Sequence, residues 1–242
     1  MSGHNKWSKV KEKKGVADAK RSKIWTKIIR EVTVSARMGG ADAQTNPRLR
    51  KALDEARASN MPKDTIERAL SRADKSDTAA YEELTYEGYG PGGVAILVDC
   101  MTDNRNRTIG DVRVAFNKNG GNLGSSGSVA FGFQKKGQLV FVDDDDKNAP
   151  SADELLEAGI EYGLDDVEEQ DGARVAFCEV SNFFSLKDAL ERRGFKSDVA
   201  ELVMVPGTRV KLNEEAQIEF EELVEALEDL DDVQKVWSNS EV

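Results

Sequence analysis

Over the first 75 residues apolar side chains recur at three- and four-residue spacing. Beyond residue 80 they form short consecutive or alternating runs separated by helical stretches. From Lys20 onward, Ile24, Trp25, Ile28, Ile29 and Val32 make one apolar stripe, predicting an amphipathic helix that Gly39-Gly40 stops. Asn46-Pro47 opens a second helix with Leu49, Leu53 and Ala56 inward, proline being suited to a first helical turn. Asn60-Met61-Pro62 breaks the chain before a third, with Ile66, Ala69 and Leu70 inward. Three amphipathic helices in this length predict a small bundle. Ahead of it, Gly3 to Gly15 has no apolar periodicity, and after it Asp74 to Ala80 reads as a polar linker.

The later pattern predicts strand Val94 to Met101, helix Thr108 to Asn119 with Ile109, Val112 and Phe116 on one side, and strand Ser128 to Phe133. From Gly137 the unit restarts. Strand Leu139 to Val142, helix Ala152 to Tyr162, a strand near Val167, strand Arg174 to Val180, helix Ser185 to Arg193 and strand Ala200 to Val205 follow in β-α-β-β-α-β order. Strand Thr208 to Leu212, helix Glu214 to Leu230 and strand Val233 to Trp237 then complete a second such set with the three elements before Gln134. The expected fold is α+β: an N-terminal three-helix bundle followed by two ferredoxin-like α+β domains, one inserted in the other. The expected boundaries are 1–78, 79–134 plus 206–242, and 135–205. The C-terminal strand should then pair in the sheet of Val94 to Met101.

Charge sharpens this division. The chain of 242 residues carries a net −11, yet the first 75 residues hold 19 Lys+Arg against 9 Asp+Glu, and the remainder 15 against 36. A basic segment on an acidic protein points to phosphate backbones. No apolar run is long enough to span a membrane, and the positive N-terminus lacks the apolar core of a secretory signal. Cys100 and Cys178 lie in apolar strand-like runs and read as buried free thiols of a reducing compartment. The expected localisation is cytoplasmic.

Candidate chemistry is sparse. The single histidine, His4, leaves no His-based triad or multi-histidine metal site. Gly88-Tyr89-Gly90-Pro91-Gly92-Gly93 precedes a strand and is followed by no Lys-Ser or Lys-Thr, so it reads as a tight turn rather than a phosphate loop. Asp143 to Asp146 reads as a solvated loop, because a magnesium site converges residues from separate elements. In Thr102 to Thr108 the polar residues suit a helix cap, while Arg105 and Arg107 beside a helix start suit an anion; the spacing leaves both open. Trp25 belongs to the apolar stripe. Trp7, between Lys6 and Lys9, either anchors the arm or stacks on a base. Lys20, Lys23, Lys27 and Arg30 form a separate cationic stripe on the first helix.

Three stretches taken together resemble the YebC/PmpR family. They are GHNKWSKVKEKKGVADAKRSKIWTKIIREVTVSAR from Gly3, GYGPGGVAILVDCMTDNRNRT from Gly88 and GGNLGSSGSVAFGF from Gly120. The resemblance implies a cytoplasmic, non-enzymatic gene-expression factor. Family members are described as DNA-binding transcriptional regulators, and others, including a mitochondrial activator of cytochrome oxidase translation, act on the ribosome. The nucleic-acid contacts expected are Lys6, Trp7, Lys9, Lys11, Lys13, Lys14, Lys20, Arg21, Lys23, Lys27, Arg105 and Arg107. No catalytic residue, cofactor, metal or membrane is expected, and a monomer is favoured. A duplex-DNA regulator and a ribosome- or RNA-bound translation factor both stay open. From other classes, a protein-protein adaptor and a metal-dependent hydrolase using the clustered carboxylates are the alternatives.

Overall fold

Asn46 shows how local chemistry starts the fold. In the computed structural model, which describes residues 18–73, 81–143, 149–170 and 172–241, helix α1 spans Asp18–Gly39, α2 Pro47–Ala58 and α3 Lys63–Ala73. Asn46 caps α2 by accepting from the Leu49 N–H at 3.0 Å, and its amide donates to Ser35 O at 2.7 Å and Gly40 O at 2.9 Å. One buried side chain thus ends α1, starts α2 and sets the bend between them. Ile28, Val32, Ala36, Leu49, Leu53, Ala56, Met61 and Ala69 form the bundle core. Ile24 lies at its margin, 42% exposed. Trp25 packs against this core and donates its indole N–H to Ser59 O. Asn46→Ala should cost about 2 kcal/mol by urea unfolding, a cap plus two buried hydrogen bonds. A loss below about 0.5 kcal/mol would show that the bend is set elsewhere.

The remaining elements are β1 Glu82–Tyr89, β2 Ala95–Thr102, α4 Arg105–Lys118, β3 Asn122–Leu123, β4 Phe133–Val142, α5 Ala152–Gly159, β5 Leu164–Gln170, β6 Ala173–Glu179, α6 Phe183–Arg192, β7 Val199–Pro206, β8 Val210–Lys211, α7 Glu214–Glu228, β9 Val233–Ser238 and β10 Ser240–Glu241. The fold is α+β, N-terminal helices followed by antiparallel sheets. Two compact units result: one is Phe131–Arg209, and the other joins the described residues up to Ala130 with Val210–Glu241.

Phe131–Arg209 holds a four-stranded antiparallel sheet in the order β5-β6-β4-β7. With α5 and α6 as crossovers, that is the ferredoxin-like arrangement. Leu139, Phe141, Leu155, Ala176, Cys178, Leu186 and Leu190 fill the space between sheet and helices.

In the other unit the sheet order is β3-β1-β2-β9, and β9 pairs antiparallel with β2 from Ile96↔Ser238 to Cys100↔Val233. The C-terminal strand therefore lies beside Val94 to Met101, as expected from the nested order of elements. Two expected strands do not join this sheet. Glu82–Tyr89, whose three glutamates hide its alternation, takes the place beside β2. Gly127, Val129 and Ala130 instead turn their N–H groups onto the Glu87 carboxylate, and Val210–Lys211 pairs only with β10. Helices α4 and α7 cover one face, packing Val112, Phe116, Phe220, Leu223 and Leu227 on Ile96, Val98 and Cys100. The glycine-rich stretch is the β1–β2 connection, with Gly92 at φ +68° and Gly93 at φ +79°, a conformation that suits glycine. Cys100 and Cys178 are free and buried, and burial pushes their thiols up to about 12 and about 11. Among the described residues no helix is long and apolar enough to cross a membrane.

Candidate nucleic-acid interface

The cationic stripe of α1 meets the acidic C-terminal end of α7. Lys27 Nζ donates to Glu228 O at 2.7 Å, and Lys23 Nζ lies 2.9 Å from Asp229 Oδ1. A helix C-terminus with its open carbonyls attracts cations, and the flanking carboxylates add to that field. Burial lowers the Lys27 pKa despite the opposing charges of Glu228, Asp229 and Asp231. Lys23 and Lys27 are thus engaged within the chain.

One turn further on, Arg30 reaches the centre of a polar network. Its Nη1 donates to Asp232 Oδ1 at 2.7 Å and to the carbonyls of Asp231 and Met101, and its guanidinium lies over the Tyr81 ring at 5.7 Å. Asp232, whose side chain is only 7% exposed, also accepts from Arg107 Nη2 at 2.9 Å, Thr108 Oγ1 at 2.7 Å and Thr102 Oγ1 at 3.2 Å. Burial alone would raise this carboxyl's pKa. The hydrogen bonds from Arg107 and Thr108 and the charges of Arg30 and Arg107 outweigh it and hold the pKa below the ordinary value. A second joint lies on α2, where Arg48 bonds Glu31 at 2.6 Å and Glu83 of β1 at 2.6 Å. Hydrogen bonds to Glu31 raise its already high pKa further, so it stays charged.

At the start of α4, Asn104 caps the helix by accepting from the Arg107 N–H. Arg107 itself is held by Asp232 and by Asp103 at 2.9 Å. The cap reading of Thr102 to Thr108 therefore accounts for Arg107, while Arg105 is exposed on the first turn. Lys20 and Arg21 belong to α1, their side chains lying outside the described ones, and His4, Lys6, Trp7, Lys9, Lys11, Lys13 and Lys14 precede the described residues. Of the acidic run, Asp143 accepts from Ala149 N and pairs with Arg174, and Asp144 to Asp146 lie outside the described residues.

Sequence reasoning missed Glu87 and Asp232. Glu87 is buried and its carboxylate accepts from the N–H groups of Gly127 at 2.6 Å, Val129 at 2.8 Å and Ala130 at 2.8 Å. The loop motif GGNLGSSGSVAFGF is thus shaped around an internal anion. Neither residue carries a local signal, since their partners are 40 or more residues away.

Residues 5–76 match the TACO1/YebC protein N-terminal domain, and residues 81–240 match the TACO1/YebC second and third domain. The chain belongs to the TACO1/YebC family. A probable transcriptional regulatory protein of Geobacter sp. (strain M21) is 51% identical over 243 residues, covering 100% of this chain and 96% of the relative. One of Burkholderia multivorans is 49% identical, covering 99% and 98%. The crystal structure of a conserved hypothetical protein from Aquifex aeolicus superimposes with TM-score 0.81 at 40% identity, covering 93% of this chain and 91% of that one. Within this TACO1/YebC fold Arg30, Glu87 and Asp232 are internal joints, and Arg48 is a half-exposed one between Glu31 and Glu83.

Proposed function

We propose that this TACO1/YebC protein is a non-enzymatic, nucleic-acid-binding regulator of gene expression that works in the cytoplasm on duplex DNA. The observation that carries the reading is the confinement of cationic excess to the N-terminal region of an acidic chain. The names of its relatives, probable transcriptional regulatory proteins, agree with it. Because Lys23 and Lys27 are paired with α7, phosphate contact falls to Lys6, Lys9, Lys11, Lys13, Lys14, Lys20 and Arg21, with Trp7 among them. In this reading residues 1–78 bind, while 79–134 with 206–242 and the inserted 135–205 form the body. A monomer suffices.

Fluorescence anisotropy against salt, with a duplex DNA and a structured RNA, tests this. Each phosphate contact contributes roughly −0.7 to −0.9 to the slope of log affinity against log salt. A Lys9, Lys11, Lys13, Lys14 to Glu variant should flatten the slope by about three and weaken low-salt binding roughly a hundredfold or more. Binding to RNA but not to duplex DNA would move the protein to translation. No binding, or equal binding by the variant, would sink the proposal.

A further inference from the structure

Helix α4 carries an exposed cationic face in an otherwise acidic body. Asn106, Gly110, Arg113, Val114 and Asn117 follow one another along the side turned away from Val112 and Phe116, with Lys118 at its margin; Arg105, seven residues before Val112, starts the helix on the opposite side. Val114 is 50% exposed at the centre, and a Cβ added at Gly110 would meet nothing within 4 Å. Arg113 and Lys118 are exposed, and among the described residues their side chains have no acidic partner. Asp111 is the only carboxylate on the helix, and it sits at the same margin as Lys118, two turns before it. Arg107 is the one cation of α4 whose charge is spent, on Asp103 and Asp232. By contrast α7, the other helix covering this sheet, carries seven glutamates and no lysine or arginine.

We infer that the exposed face of α4 is a second contact surface for duplex DNA, lying in the major groove; this rests on the nucleic-acid reading above. Charge complementarity favours a phosphate polymer over a protein partner. The side-chain set adds to it. Arginine pairs with guanine edges, asparagine with adenine edges, and a small apolar side chain meets the thymine methyl. A glycine at mid-helix lets the backbone approach closely. The 14-residue helix is about 21 Å long, and the B-form major groove admits such a helix whereas that of A-form RNA is too narrow.

The test uses the full chain and a 30-base-pair duplex, as DNA and as RNA, in salt-titrated anisotropy. The variant R113Q/K118Q removes only unpaired surface charge, so circular dichroism and melting should match the wild type. DNA affinity should fall about fivefold or more at low salt, and the slope should flatten by roughly 1.4 to 1.8. Val114→Asp, placing a carboxylate at the centre of the face, should cause a similar loss. K187Q/R192Q, an equal charge loss on α6, should change affinity less than twofold. If the wild type binds DNA and the N-terminal lysine variant loses it while both α4 variants bind with unchanged affinity and slope, this inference falls and the proposed function stands. If the wild type binds no nucleic acid, both fall. If the α4 variants lose RNA binding alone, the assignment to the DNA major groove is wrong.

Discussion

Asp232→Ala is expected to destabilise the unit containing the helical bundle by about 3 kcal/mol, because removing one partner of a buried ion pair strands the other. Arg30, only 13% exposed, would lose its carboxylate while staying desolvated, and Thr102 and Thr108 would lose their acceptor. Arg107 is partly spared, since Asp103 still pairs with it. Asp232→Asn, which keeps the shape and one acceptor oxygen, should fall between wild type and alanine. Urea unfolding followed by tryptophan fluorescence reads this directly, as Trp25 and Trp237 both lie in the affected unit. A loss under about 1 kcal/mol would mean that the carboxylate is bystander rather than joint. The variant also bears on function. With Asp232 gone, α1 is held to α7 mainly by Lys23 and Lys27, and the exposed Lys23 pair is the kind that contributes little.

Glu87→Ala should cost a similar amount, about 3 kcal/mol, by leaving three N–H groups of the loop without an acceptor. Glu87→Gln retains one acceptor oxygen but brings an amide N–H against donors, so it should recover only part of the loss. The pH dependence separates the charge from the packing. Burial would raise the Glu87 pKa, yet the hydrogen bonds from Gly127, Val129 and Ala130 hold it below its ordinary value. A carboxyl whose pKa is depressed in the folded protein contributes fully above its unfolded pKa, and the contribution disappears as pH falls through the folded value. Wild type and Glu87→Gln should therefore differ most above about pH 5 and converge as acid protonates Glu87. A constant difference between pH 7 and pH 3 would mean that the loop does not depend on the charge.

Most elements were legible because their signals are local. The caps and breaks at Asn46-Pro47 and Asn60-Met61-Pro62 lie within a few residues of the helices they start. The runs that became β2, β4, β6 and β7 needed only their own apolar content. Strand β1 was not legible. Its sequence EELTYEGY looks polar, and its place beside β2 depends on pairing eight residues across the glycine turn. The strand expected at Ser128 to Phe133 failed for the same kind of reason, since Glu87, some forty residues earlier, takes the N–H groups that a ladder would use.

The candidate site divides in the same way. Sequence alone determined the α+β class, the three N-terminal helices and the concentration of cations at the N-terminus, all properties of neighbours along the chain. Only the tertiary structure decided which of those cations are free. Arg30 and Asp232 are 202 positions apart, and Arg107 and Asp232 125. No periodicity reports a pairing over that distance, because it depends on how α1, α4 and α7 converge once their apolar faces are buried. The same convergence pairs Lys23, Lys27 and Arg107 with acceptors of the same chain. Arg105, Arg113 and Lys118 it leaves facing solvent, where a charge can meet a partner from outside.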